Sequence, residues 1–386
     1  MNHLPTIADS LSKLHELNWD FPGDKSDSPF SDLHFHPGRF VPQIPAALIG
    51  TLTQLGDTVL DPFCGSGTTL VEAQRLGRNA VGIDLNPVAC LISKIKTKAT
   101  VASEIELELT KFLKELAVYR LENISSLQGE IPSTVQLSKW YHPETGRQLV
   151  NIWSCIQSKS NADFRDVALF CFSATLLSCC GETRHWGYVC DNVRPLERRY
   201  VDAHTVFVER AEALMEAFRR REQRSVSLEQ LMASTVAVRE GDAATELKSL
   251  RSDSVDLVVT SPPYFGVVDY IKAQRLSFEW FGREIEPYRR GEIGARSKRH
   301  RLSALSQYLN ELSETISEIH RVLKAGHIAA FVIGESGRRQ GALKEFLTIL
   351  QSEGFTIEMS ITRNIGLLRR QPASLASEEL LVCKKR

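Results

Sequence analysis

The chain has no excess of charge of either sign. Lys and Arg total 47 in 386 residues and Asp and Glu also total 47, so the net charge is zero. Any footprint for a polyanion must therefore be local. There is no Cys-x-x-Cys pair. The eight cysteines stand at 64, 90, 155, 171, 179, 180, 190 and 383. With no secretory pattern ahead of them, they read as reduced, mostly buried thiols. His185 and Cys190, near Cys179 and Cys180, match no common zinc spacing, and no metal is expected. No apolar run reaches membrane-spanning length. The best candidate, Val167 to Cys180, is better read as a core helix. The first residues lack the basic-then-apolar order of a signal peptide. A cytoplasmic protein that makes no use of a membrane is the expectation.

What is present begins at Thr58-Val-Leu-Asp61-Pro-Phe63-Cys-Gly65-Ser-Gly67-Thr68-Thr69. A short apolar run ends in an acid, two glycines open a turn, and Leu70 to Ala73 continue as a helix. Strand, glycine loop and helix in this order mark the carboxyl edge of a parallel sheet, where glycine lets a ligand approach the backbone. Two familiar loops are excluded. A phosphate loop needs Lys after its last glycine, but Gly67 is followed by Thr68. A dinucleotide fingerprint needs a third glycine where this chain has Leu70.

A second strand, Asn79 to Asp84, ends 19 residues after Gly65. Asp84 would accept hydrogen bonds from the two hydroxyls of a ribose, or it simply caps the next helix through Asn86-Pro87. His36, Arg39 and Phe40, in the stretch before the glycine loop, either hold the ligand or form a turn before a helix. The sheet resumes at Ser234–Val238, and Asp242, shortly after that strand, suits an adenine amino group.

The run Val255 to Thr260 is a β-branched buried strand that stops at Ser261-Pro262-Pro263-Tyr264. Two prolines fix the backbone and remove two amide donors, so the Pro262 carbonyl is presented with no neighbouring N–H in competition. Ser261 adds an oxygen and Tyr264 a flat face on which a base can stack. Such a site accepts hydrogen bonds from an exocyclic amine. Most Ser-Pro-Pro tripeptides are ordinary turns; the glycine loop in the same chain argues otherwise.

The pair Asp61–Thr69 and Thr260–Tyr264 resembles motifs I and IV of the S-adenosylmethionine-dependent amino-methyltransferases of DNA, which make N4-methylcytosine or N6-methyladenine. Phe35–Phe40 resembles motif X, Gly82–Pro87 motif II and Glu240–Ala243 motif III. Ile319–Gly326, Ile328–Ile333 and Glu379–Lys384 resemble the last helix, turn and strands of that fold. The resemblance implies an α/β fold with a Rossmann-like seven-stranded mixed sheet. S-adenosylmethionine would be held by His36, Phe40, Asp61, Phe63, Gly65, Gly67, Thr68, Asp84, Asn86 and Asp242. Ser261, Pro262, Pro263 and Tyr264 would receive a flipped base. Ser at the first position of motif IV favours the cytosine amine over the adenine amine. Cytosine C5 chemistry needs a nucleophilic Cys, typically after Pro, and this chain has no Pro-Cys pair.

The match covers residues 33–90 and 236–386. The expected organisation is a lightly packed arm (1–32) on which Trp19 and Phe21 dock, a catalytic domain (33–99 and 236–386), and a helical insertion (100–235) as a possible target-recognition region. Within the insertion, the loop Arg184-His185-Trp186-Gly187-Tyr188 suits either nucleic-acid contact or a surface anchor. Double-stranded DNA is the expected partner, with a cognate restriction endonuclease acting on the same site; monomer and dimer both stay open. Duplex DNA demands phosphate contacts beside an extruded base. Residues 270–301 hold nine Lys or Arg against four Glu. Arg289, Arg290, Arg296, Lys298 and Arg299 from that segment, with Arg363, Arg369 and Arg370, are the candidates. An RNA enzyme acting on a guanine amine and an inactive DNA-binding relative are the alternatives.

Overall fold

The computed structural model describes residues 7–22, 28–30, 32–38, 41–121, 131–182, 199–225, 227–334, 341–364 and 377–386. Phe40, Arg39, Arg369, Arg370 and the loop 184–188 lie outside them. The first part of the chain holds α1 (Ile7–His15), α2 (Gln43–Leu52), β1 (Thr58–Asp61), α3 (Thr68–Arg75), β2 (Asn79–Asp84) and α4 (Pro87–Lys96). An all-helical stretch follows, with α5 (Ala102–Leu121), α6 (Leu137–Trp140), α7 (Pro143–Gln157), α8 (Ala162–Cys179), α9 (Ala203–Arg224) and α10 (Leu228–Ala233). The sheet resumes with β3 (Val236–Glu240), α11 (Ala243–Leu247) and β4 (Val255–Thr260). Three short helices come next, α12 (Tyr270–Ala273), α13 (Arg275–Trp280) and α14 (Ile285–Gly291). The chain closes with α15 (Ala304–Val322), β5 (Leu323–Gly334), α16 (Ala342–Ser352), β6 (Phe355–Asn364) and β7 (Ser377–Lys385).

The seven strands form one mixed sheet in the order β3-β2-β1-β4-β5-β7-β6. β1 pairs in parallel with β2 on one side and β4 on the other. β7 runs antiparallel to both β5 and β6. The order reverses between β1 and β4, and a ligand crevice opens at such a switch point, outside the carboxyl ends of the strands. Strand β4 is fully buried at Leu257, Val258 and Val259, an apolar stretch that suits a strand covered by helices on both faces.

The helical stretch packs on α3 and α4 around one core, in which Phe112, Phe170, Phe172, Phe207 and Phe218 are fully buried beside Val71, Val88, Ile92 and Ile95. This core also takes in Ile271, Leu276, Phe278 and Trp280 from beyond β4. Trp280 meets Phe172 edge-on at 4.9 Å and Trp153 at 5.6 Å. Most of residues 7–22 are exposed, and the segment is anchored on the body at a few points. Leu14 and Trp19 are buried, and Trp19 Nε1 donates to the Leu14 carbonyl at 3.0 Å. Phe21 stacks edge-on against Trp19. The seven cysteines among the described residues are unpaired and buried. No helix among them is long and apolar enough to cross a membrane.

Candidate active site

The turn after β1 is closed by its own backbone. Gly67 N donates to the Cys64 carbonyl at 2.7 Å, and Cys64 N reaches the Ile83 carbonyl at 2.9 Å. Gly65 and Gly67 have φ of +50° and +78°, the left-handed region that side chains resist. A Cβ on Gly67 would lie 2.6 Å from Ser93 Oγ; one on Gly65 would lie 3.1 Å from the His36 ring. His36, from the stretch before α2, is thus packed on the loop itself, with Tyr270 6.2 Å away ring to ring. Ser93 Oγ holds the loop from the other side through the Gly65 carbonyl, at 2.8 Å.

Three acids stand at neighbouring strand ends. Asp61 is buried and accepts from Thr260 Oγ1 at 2.7 Å and Phe63 N at 3.1 Å. Burial pushes its carboxyl up to about 6, against the lowering effect of those hydrogen bonds. Asp84 accepts from Gly65 N at 2.9 Å on one oxygen and from Asn86 N at 2.8 Å on the other. Burial likewise raises it to about 6. Each of its oxygens keeps a second lone pair for a donor such as a sugar hydroxyl. Asn86 caps α4 through Val88 N at 2.9 Å, and its buried Nδ2 finds no acceptor among the described residues. Asp242 is exposed and caps α11 by accepting from Thr245 N at 2.9 Å. Gly241 N donates to the Asp84 carbonyl at 3.0 Å, which sets Asp242 beside the end of β2. Phe63 and Thr68 are half-buried at the mouth of the loop. The open glycine turn, the spare carboxylate lone pairs and the orphaned Asn86 donor together fit an adenosine-containing cofactor.

The segment after β4 is fixed to this wall by the Thr260–Asp61 bond. Tyr308 Oη donates to the Pro263 carbonyl at 3.0 Å, whereas no described residue donates to the Pro262 carbonyl. Pro262 is buried, and its carbonyl keeps acceptor capacity among the described residues. Ser261 Oγ donates to Tyr264 Oη at 3.2 Å, and Tyr264 Oη donates to Glu378 Oε1 at 2.9 Å. Tyr264 is buried and tied by its hydroxyl instead of offering an open ring. Gln274 Nε2 donates to the Phe35 carbonyl at 2.7 Å, which draws α12 and α13 toward His36.

The cationic candidates divide. Arg290 and Arg296 are exposed. Arg299 is half-buried, with Nε on His300 at 3.0 Å. Arg289 pairs with Glu286. Lys298 is committed to the fold, its Nζ donating to the Arg290 and Glu292 carbonyls at 2.7 Å each. Arg363 is a correction. Only 2% exposed, it pairs with Glu378 and is no surface cation. Sequence reasoning missed Thr260, Ser93, Tyr308 and Glu378, whose partners lie 28 to 199 residues away.

Residues 10–94 match the family model described as DNA methylase. Type II methyltransferase M.MjaII of Methanocaldococcus jannaschii is 22% identical over 80% of this chain and 73% of its own length. Type II methyltransferase M.MvaI of Kocuria varians is 24% identical over 66% of this chain and 58% of its own. A tRNA (guanine(10)-N2)-dimethyltransferase of M. jannaschii is 36% identical, but over 16% of this chain and 18% of its own.

Proposed function

We propose that this chain, a member of the S-adenosylmethionine-dependent amino-methyltransferases of DNA, methylates the exocyclic N4 amine of cytosine in duplex DNA, as the modification half of a restriction system. The observation that carries the proposal is the 2.7 Å bond from Thr260 to Asp61. It fastens the Ser-Pro-Pro-Tyr turn to the glycine loop, so amine acceptors and cofactor residues share one crevice. S-adenosylmethionine supplies the electrophilic methyl on its sulfonium.

The chain's own residues bind and orient. Asp84 takes the ribose hydroxyls, Asn86 Nδ2 serves an acceptor of the same ligand, and Gly65 and Gly67 allow close contact. The target base leaves the stack to reach the crevice. Its amine then donates to Ser261 Oγ and to the Pro262 carbonyl. With both N–H groups held, the nitrogen lone pair is directed at the methyl group, and positioning provides most of the acceleration. No strong base is required. The methylated nitrogen is strongly acidic in its cationic form, and its proton is lost to solvent water. Arg290, Arg296 and Arg299 contact phosphates on either side of the extruded base.

Labelled methyl transfer to methylation-free DNA and to tRNA, followed by nucleoside mass spectrometry, tests the reading. N4-methylcytosine in DNA is expected. N6-methyladenine would overturn the argument from Ser261. The short match to a tRNA enzyme favours a second reading, guanine-amine methylation of RNA, which label in tRNA alone would support.

A further inference from the structure

Behind the Ser-Pro-Pro-Tyr turn runs a chain of hydrogen bonds whose direction is fixed from one end. Arg363, 2% exposed, can only donate. Its Nη1 pairs with Glu378 Oε2, and its Nε donates to the Trp19 carbonyl at 3.1 Å. Glu378, 9% exposed and ion-paired with that guanidinium, accepts on both of its oxygens. Tyr264 Oη must therefore donate to Glu378 Oε1, at 2.9 Å, and its oxygen is left to accept from Ser261 Oγ, at 3.2 Å. The single proton of Ser261 is thereby spent. What Ser261 offers the crevice is lone pairs alone.

This polarity matters for recognition. An amino group on a base presents N–H donors, and a carbonyl at the same ring position presents an acceptor. A serine free to rotate its hydroxyl would satisfy either one. We propose that Glu378, acting through Tyr264, is a positioning residue that locks Ser261 as an acceptor and so selects an amino group over a carbonyl at the target position. The inference rests on the amine-methylating reading above and goes beyond it, because it assigns selectivity to residues of β6, β7 and the amino-terminal segment, remote in sequence from the turn.

A kinetic cycle tests it, using wild type, Ser261→Ala, Glu378→Gln, Tyr264→Phe and the double variants Ser261→Ala/Glu378→Gln and Ser261→Ala/Tyr264→Phe. Glu378→Gln and Tyr264→Phe should each lower kcat for methyl transfer by about tenfold, the scale of one net hydrogen bond. KM for S-adenosylmethionine should stay unchanged. In the Ser261→Ala background, the second substitution should add less than a twofold loss, because the group it acts through is gone. Losses that multiply, or a raised cofactor KM, would overturn the inference. Glu378→Gln leaves Arg363 without its counter-charge. If that variant unfolds, Tyr264→Phe, which keeps the ion pair and the ring, carries the same cycle. Methyl label on adenine together with coupled losses would overturn only the cytosine assignment. A wild type that methylates no amine would overturn both.

Discussion

Thr260 Oγ1 donates to Asp61 Oδ1 at 2.7 Å across 199 residues of sequence. Through this contact the end of β4, which leads into the Ser261–Tyr264 turn, is registered against the end of β1, which leads into the glycine loop. Thr260→Val removes the hydroxyl while keeping the β-branched shape. The bond helps hold the Asp61 carboxyl down against burial, so its loss should raise that pKa further and weaken cofactor binding several-fold. Isothermal titration with S-adenosylmethionine reads both the affinity and its pH dependence.

The same acids set a pH window. Asp61 and Asp84 are both raised to about 6 by burial, and on the proposed reading the ionised form of Asp84 accepts from the ribose hydroxyls while the negative charge of both acids favours a cationic sulfonium. Cofactor affinity should therefore be full at mildly alkaline pH and fall as pH drops through about 6. Asp84→Asn should bind weakly throughout, with that pH dependence reduced. An affinity that rises on acidification would contradict the assignment.

Stability has the opposite sign. A buried acid whose pKa is raised from 3.8 to about 6 binds protons more tightly folded than unfolded. Ionisation therefore favours unfolding as pH rises through that interval, and above it the cost is about 3 kcal/mol. Asp61→Asn keeps an acceptor for Thr260 without the charge. At neutral pH it should melt no lower than wild type while losing cofactor binding. Differential scanning calorimetry alongside titration would separate the two effects.

Among the cations, charge counting and geometry lead to different expectations. Arg290→Ala and Arg296→Ala remove exposed guanidinium groups and should weaken DNA binding on every sequence. Each should also make the salt slope shallower by about 0.9. Lys298→Ala instead removes the donor to two carbonyls. It should lower the melting temperature more than it changes the salt slope. Binding titrations over a range of salt concentrations distinguish these cases.

The parts of this molecule that could be read in the sequence are local. Gly65 and Gly67 following Val59-Leu60-Asp61 announce a strand and a turn through residues that are chain neighbours, and the acid ending β2 follows at a fixed spacing. The β4 strand declares itself by its β-branched and apolar residues around a single Asp256. What could not be read depends on how side chains meet across the fold. Arg363 looks like one cation in a basic tail, yet it is buried on Glu378 because β6 and β7 pair there. The segment from Tyr270 onward looks like a charged clamp because its Arg and Lys are easily counted. Its Leu276, Phe278 and Trp280 have instead joined the core of the helical stretch. Nor does composition reveal that Trp19 is held by a residue more than three hundred positions away.

Trp280 supports the last prediction. It is fully buried, stacked on Phe172 and Trp153 of the helical stretch, and it lies on the segment that also presents Gln274 to the Phe35 carbonyl. Trp280→Ala should cost about 3–5 kcal/mol by cavity formation. The loss should be felt where α13 meets α7 and α8, in a core that also holds Val71 of α3 and Ile92 of α4, while the strands of the sheet, which rest on other buried clusters, keep their packing. If the helical stretch positions DNA over the crevice, the variant should raise KM for DNA while leaving cofactor affinity near wild type. Trp280→Phe, which refills much of the space, should recover both stability and KM for DNA. A variant that lost cofactor affinity in equal measure would mean that the two cores melt together and that α13 is no separate brace for the substrate.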